Sequence, residues 1–118
     1  MGGMRLMILV GFLAGSLAAV DISGSWDAKV ETPAGSGTPS FVLKQEGEKL
    51  TGNYTGALGQ APLTGTVKGD AVEFSFDASP GGEKVKVVYK GTVKSPMSMG
   101  GSMSIETVGD GTWTATKR

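Results

Sequence analysis

The chain has 118 residues, which is enough for one domain, and its 11 Lys and Arg residues balance 11 Asp and Glu residues. It contains no His and no Cys, so Ser-His-Asp and Cys-His catalysis and the usual zinc sites are excluded. The near-neutral charge argues against a nucleic acid or an anionic membrane surface as a partner. We therefore expect neither a metal nor another cofactor.

Residues 1–18 have the pattern of a signal peptide. Arg5 is followed by an apolar run over residues 6–14 and then by small residues up to Ala19. The expected cleavage follows Ala18 or Ala19, which leaves residues 19–118 as a single domain. A transmembrane anchor is the alternative, but the apolar run is shorter than the roughly 20 residues that span a bilayer. The sequence thus predicts export to the periplasm or the extracellular space, without a stable membrane anchor.

The rest of the chain is rich in β-branched residues, aromatic residues and glycine turns, and it carries few helix signals. We predict eight strands: 24–32, 39–46, 49–56, 61–68, 71–78, 84–94, 97–106 and 111–117. The connections are short, so each strand is expected to pair with the next one in an antiparallel, up-and-down order. Residues 33–39 form the longest connection, and their Pro and Gly content predicts a mobile loop.

Apolar and polar residues alternate along the predicted strands, so every strand has one inward and one outward face. This pattern is typical of a sheet that closes into a barrel, or of two stacked sheets. Four glycines occupy inward positions, where glycine sacrifices packing: Gly52, Gly65, Gly91 and Gly101. Such glycines allow sharp bends or leave room for a large ring. We therefore predict an all-β, eight-stranded antiparallel barrel, with a β-sandwich as the alternative.

The two ends of the predicted domain resemble the calycin superfamily of lipocalins, fatty-acid-binding proteins and avidins. The resemblance rests on the Gly-Ser-Trp of residues 24–26 in the first strand and on Trp113 and Lys117-Arg118 in the last strand. In that superfamily, a tryptophan of the first strand packs under a basic residue of the last strand. The resemblance implies that one end of the barrel is closed by four residues: Trp26, Trp113, Lys117 and Arg118.

Residues 50–54, Leu-Thr-Gly-Asn-Tyr, resemble a strand of the streptavidin family, in which the tyrosine that Tyr54 matches contacts biotin. The tryptophans that enclose biotin in that family have no counterpart in this chain, so the resemblance implies an avidin-like fold without biotin binding. The Gly-x-Trp start, the repeated Thr-Gly-Thr-Val strands and the ending at residues 111–118 also resemble small exported bacterial domains of unassigned function.

Five side chains in the inward register are candidates for contacting a ligand: Tyr54, Tyr89, Met97, Met99 and Met103. Each tyrosine hydroxyl can form hydrogen bonds, and both tyrosines lie near inward glycines. The methionines would fill the core, line an apolar ligand or, if residues 96–101 formed a loop, bind Cu(I). Residues two apart on a strand lie about 7 Å apart, too far for two sulfurs to share an ion, so we predict no metal site.

The sequence favours one function, with a second as the alternative and a third ranked last. The first is an exported, non-catalytic module with an interaction or structural role, whose own side chains fill the barrel. The second is a carrier or sensor of a small apolar ligand, bound at the mouth of the barrel. An enzyme ranks last, because only exposed carboxylates and lysines remain for catalysis. The expected partner is another exported protein or a small apolar molecule, and a void of roughly several hundred cubic ångströms beside Tyr54 or Met99 would favour the carrier.

Overall fold

The computed structural model describes residues 21–79 and 82–118, and these residues form nine β-strands. The predicted signal peptide and both of its expected cleavage sites lie outside the described residues. Within the described residues, no helix is long and apolar enough to cross a membrane. The strands are β1 (Gly24–Thr32), β2 (Gly35–Gly37), β3 (Ser40–Glu46), β4 (Lys49–Gly56), β5 (Gly59–Lys68), β6 (Ala71–Ala78), β7 (Val85–Ser95), β8 (Ser98–Ile105) and β9 (Gly109–Lys117).

The strands form one antiparallel sheet in which consecutive strands pair from β3 to β9. β9 also pairs with β1, in a register that runs from Trp26 opposite Lys117 to Glu31 opposite Thr112. This pairing closes the sheet, so the predicted barrel is confirmed and the sandwich alternative is wrong. Closure satisfies the backbone hydrogen-bonding groups of β1 and β9, neither of which is left as an open edge.

Residues 33–39, which we name the strap, differ from the predicted loop because they contain the short strand β2. The backbone of β2 pairs with the second half of β1, while β3 pairs with the first half of the same edge. β2 and β3 therefore share one position in the wall, which makes eight positions in total. Pro39 lies between β2 and β3 and has no N–H to donate, but its carbonyl accepts a hydrogen bond from the Ala28 amide at 2.9 Å.

The barrel has two ends that differ in what they contain. One end, which we name the mouth, carries the strap, the β4–β5 turn and the β8–β9 turn. The other end, the base, carries the β3–β4, β5–β6 and β7–β8 turns together with Ile22 and Arg118. Antiparallel order places alternate connections at opposite ends, so the mouth and the base are built from different segments.

The interior is dominated by aromatic rings. Every aromatic side chain of the described residues is buried: Trp26, Phe41, Tyr54, Phe74, Phe76, Tyr89 and Trp113. Phe74 and Tyr89 stack with centroids 5.0 Å apart, and Trp113 meets both of these rings edge-on. The Trp113 indole N–H donates to the backbone carbonyls of Lys90 and Ser102, so its polar atom is satisfied inside the wall.

The inward glycines lie where neighbouring strands approach closely. A Cβ atom at Gly52 would overlap the carbonyl oxygen of Val42, and one at Gly65 would overlap that of Glu73. Gly91 and Gly101 face each other across β7 and β8, and a Cβ at Gly91 would also lie 3.0 Å from the Trp113 ring. Close approach of neighbouring backbones and, at Gly91, room for a ring thus account for these glycines.

Candidate ligand-binding site

The mouth of the barrel contains a cavity of about 200 Å³. Its walls come from β1, β4, β7 and β8, and its rim comes from the strap and two turns. None of the described residues that line the cavity carries a charge: Val30, Thr32, Ala34, Gly35, Ser36, Gly37, Thr38, Pro39, Tyr54, Ala57, Leu58, Tyr89, Met103, Ile105 and Val108. The site is therefore apolar, with hydroxyl groups at a few positions.

Tyr54 connects the cavity to the β4–β5 turn. Its ring stacks on Phe76 with centroids 4.2 Å apart, and its hydroxyl oxygen accepts a hydrogen bond from the Leu58 amide at 3.3 Å. This bond holds the turn over the ring, so that Leu58 forms part of the cavity wall. Burial raises the pKa of the Tyr54 hydroxyl above its usual value, although the Leu58 bond acts in the opposite direction.

Tyr89 lies deeper in the cavity wall and is only 2% exposed. Its ring stacks on Phe74 and meets Phe41 and Trp113 edge-on. The hydroxyl has no hydrogen-bonding partner among the described residues. Burial, and to a lesser extent the nearby Tyr54, raises the pKa of Tyr89 well above its usual value, so the group stays a neutral phenol at physiological pH.

The three candidate methionines do not form one site. Met103 lines the cavity, whereas Met99 is buried opposite Val93 and Ala115 nearer the base. Met97 was expected to face inward, but it is 50% exposed, because the β7–β8 turn occupies residues 96–97 and β8 begins only at Ser98. In the described part of the chain, no cluster of three or more His, Cys, Asp or Glu residues could hold a metal ion.

The four residues expected at the closed end lie in two places. Trp26 is completely buried near the base, where its indole N–H donates to the Ile22 carbonyl at 2.9 Å. Lys117 lies opposite Trp26 in the β1–β9 register, and its aliphatic chain passes over Gly24. Arg118 faces outward and forms an ion pair with Asp27, with one nitrogen–oxygen distance of 2.8 Å. Trp113, in contrast, is buried in the middle of the core.

Several cavity residues were not predicted from the sequence. Thr38 and Pro39 of the strap line the site because the strap folds back on β1 as a hairpin. Leu58 and Val108 line it from the two turns of the mouth. An apolar side chain in a short turn is the signal that was available for both residues, since a solvent-exposed turn has no need of one.

No protein-family model and no curated protein sequence matches this chain. Solved structures with the same fold do match. A redesigned β-barrel, b11L5F_LGL, superposes with a TM-score of 0.69 at 15% identity, covering 82% of this chain and 91% of that chain. The redesigned barrels mFAP1 and mFAP0, both bound to DFHBI, give TM-scores of 0.61 and 0.62 at 17% and 18% identity. They cover 82% and 81% of this chain, and 94% and 98% of their own.

At these identities the similarity shows the fold alone. The fold is a closed, eight-stranded, antiparallel β-barrel, as the alternation along the strands predicts. The protein is thus a small β-barrel protein with an apolar cavity at one end.

Proposed function

We propose that this protein is a non-catalytic binding module that takes up a small, mostly apolar molecule at the mouth of its barrel. The observation that carries the proposal is the cavity of about 200 Å³, which is lined by uncharged residues and bordered by two buried tyrosines. Apolar cavities with a few polar groups are the usual form of small-molecule sites.

The size of the cavity limits the ligand. An apolar cavity of about 150 Å³ is large enough for one benzene molecule. The cavity of about 200 Å³ is therefore suited to a single substituted ring or an aliphatic molecule of similar size. It lies beside Tyr54 but is smaller than the several hundred cubic ångströms expected for a carrier, so the proposed ligand is smaller than a lipid or a multi-ring molecule.

The redesigned barrels support this proposal, because two of them carry a small molecule, DFHBI, on the same architecture. The described residues around the cavity carry no charge, which supports a non-catalytic role, because general acid–base catalysis needs a group that titrates near the working pH. Both tyrosine hydroxyls have a raised pKa and are poorly suited to this role.

We further propose that the module is exported, as a small bacterial domain of the kind that its sequence resembles. The basic and apolar segments of residues 1–18, followed by small residues, support this localisation. Sequencing of the N terminus of the protein from its natural source tests it. A start at Ala19 or Val20 supports export by cleavage, whereas a start at Met1 contradicts it.

An interaction or structural role is the second candidate. It is favoured by the packing of the barrel below the cavity, where Trp26, Phe41 and Phe74 are at most 1% exposed. A barrel filled by its own side chains needs no ligand for stability. This candidate places the functional surface on the outside of the barrel, so it is separated from the first by whether the cavity takes up a probe molecule.

Titration with ethylbenzene, followed by the amide signals of the labelled protein in solution NMR, tests ligand binding at the mouth. We expect saturable shifts at Tyr54, Leu58 and Met103. The variant Val108→Trp should fill the cavity and abolish these shifts. The matched variant Val42→Trp should retain them, because Val42 is 56% exposed on the outer surface. No saturable shift in the wild-type protein, or equal loss in both variants, would overturn the proposal.

A further inference from the structure

Two buried tyrosines line the cavity, and the hydrogen bonding of their hydroxyls to the described residues is incomplete. The Tyr54 oxygen accepts from the Leu58 amide, which leaves the Tyr54 proton to be donated. Tyr89 has no partner among the described residues for either its proton or its oxygen. A hydroxyl can both donate and accept, and a buried hydroxyl without a partner destabilises the protein that contains it. A ligand that satisfied such a group would recover that lost stability.

The ring of Tyr89 is packed among other aromatic rings. Phe74 stacks on one face of the ring, and Phe41 and Trp113 contact it edge-on. The ring is thus enclosed by neighbouring rings, while the residue still forms part of the cavity wall. Phe76 lies beside both tyrosine rings, with its centroid 4.2 Å from that of Tyr54 and 6.1 Å from that of Tyr89, so the two tyrosines belong to one aromatic cluster at the cavity.

The residues that line the cavity determine which charge a ligand can carry. The described residues that line the cavity include no Lys, Arg, Asp or Glu. An ionic group that entered such a cavity would lose its hydration without gaining a counter-ion, which is strongly unfavourable. A neutral oxygen acceptor loses much less hydration, and a phenol donor compensates for this loss.

We propose that the ligand is an uncharged molecule of single-ring size that carries a carbonyl-type acceptor oxygen, and that the Tyr89 hydroxyl donates a hydrogen bond to this oxygen. This inference rests on the proposed binding function and deepens it by naming the ligand class and the residue that selects it. The apolar walls contact the ring of the ligand, and Tyr89 supplies the polar contact that sets its orientation.

A comparison of two probes in two proteins tests the hydrogen bond. Acetophenone carries the acceptor, and ethylbenzene has nearly the same shape without it. In Tyr89→Phe, which keeps the ring and loses only the hydroxyl, the affinity for acetophenone should fall about five- to tenfold. The affinity for ethylbenzene should stay the same or increase, because the variant no longer buries a hydroxyl that this probe cannot satisfy.

Two controls separate this inference from simpler explanations. Tyr54→Phe should weaken acetophenone binding less than Tyr89→Phe does, because the Leu58 amide already holds the Tyr54 oxygen. Benzoate, which has the shape of acetophenone with a negative charge, should bind much more weakly at neutral pH. Urea unfolding of the ligand-free variants checks the fold, and Tyr89→Phe should be at least as stable as the wild-type protein.

The outcomes are distinguishable. If ethylbenzene does not bind to the wild-type protein, the proposed function fails, and this inference fails with it. If ethylbenzene binds but Tyr89→Phe changes the affinity for both probes equally, only the hydrogen bond from Tyr89 is refuted. A loss confined to Tyr54→Phe would reassign the donor, and benzoate binding as tight as that of acetophenone would overturn the uncharged ligand class.

Discussion

Both tyrosines of the chain are buried in the barrel, and burial raises the pKa of each hydroxyl. In the unfolded chain both would ionise near their ordinary pKa of about 10. The folded state therefore retains these protons at a pH where the unfolded state releases them. This difference stabilises the folded protein fully below pH of about 10, and the stabilisation is lost as the pH rises further.

The tyrosines give a direct test at alkaline pH. Above a pH of about 10, the ordinary tyrosine pKa, we expect less tyrosinate absorbance from the native protein than from the unfolded chain, and a sharp increase when the barrel unfolds. The unfolding free energy should fall with pH over the same range. Tyr54→Phe isolates Tyr89 and should retain the delayed titration. Gradual ionisation near pH 10 in a protein that stays folded would contradict the burial of Tyr89.

Among the structural elements, the curved strands depend on glycines at contacts between neighbouring backbones. A Cβ at Gly52 would overlap a carbonyl oxygen of β3, and backbone atoms cannot move aside as a flexible side chain can. Gly37 of the strap has no atom of another residue near its Cβ position and does not have a positive φ. The two glycines thus differ in surroundings rather than in the need for an unusual backbone conformation.

This difference makes Gly52→Ala and Gly37→Ala a matched pair. We expect Gly52→Ala to destabilise the protein by about 1–3 kcal/mol, because β3 and β4 must separate to admit the methyl group. Gly37→Ala should leave stability nearly unchanged. Urea denaturation of both variants measures the effect. Equal denaturation midpoints would show that the strands tolerate the added methyl group and that these glycines are not required for the curvature.

The strands were largely predictable because their alternation is strong. Residues such as Val72, Phe74 and Phe76 alternate with polar neighbours, and all three are buried as predicted. The strap was missed because Gly-Ser-Gly has no side-chain pattern, and only its pairing with β1 makes it a strand. Met97 was wrongly predicted to face inward, because the β7–β8 turn begins one residue later than the alternation implies. The cavity is lined in part by the strap and by the turns at the mouth, so its shape could not be predicted from the sequence.

At the scale of the whole molecule, closure depends on the last residues of the chain. The amide of Lys117 donates to the Met97 carbonyl, and that of Arg118 donates to the Ser25 carbonyl, each at 2.9 Å. The side chain of Arg118 adds only an exposed ion pair with Asp27, which contributes little to stability. The backbone of these residues, rather than their charge, therefore joins β9 to β1 and to the β7–β8 turn at the base.

Deletion of residues 116–118 should accordingly destabilise the barrel by roughly 2–4 kcal/mol, because it removes several ladder hydrogen bonds worth about 1 kcal/mol each. Arg118→Gln, which keeps the backbone, should have little effect. Amide hydrogen exchange provides a second measurement. Slow exchange throughout β1 and β9 in the intact chain is expected, and rapid exchange along β9 would mean that the sheet is open in solution.

The contacts that close the base also bring the two ends of the described domain together, since residues 22–25 lie beside residues 117–118. The cavity lies at the opposite end of the barrel. A fusion partner, a bead or a sensor surface attached through Arg118 would consequently leave the mouth facing outward. The same proximity allows a short linker to join residue 118 to residue 21, so that a circular permutant could be opened at the β5–β6 turn without any change to the strap or the mouth.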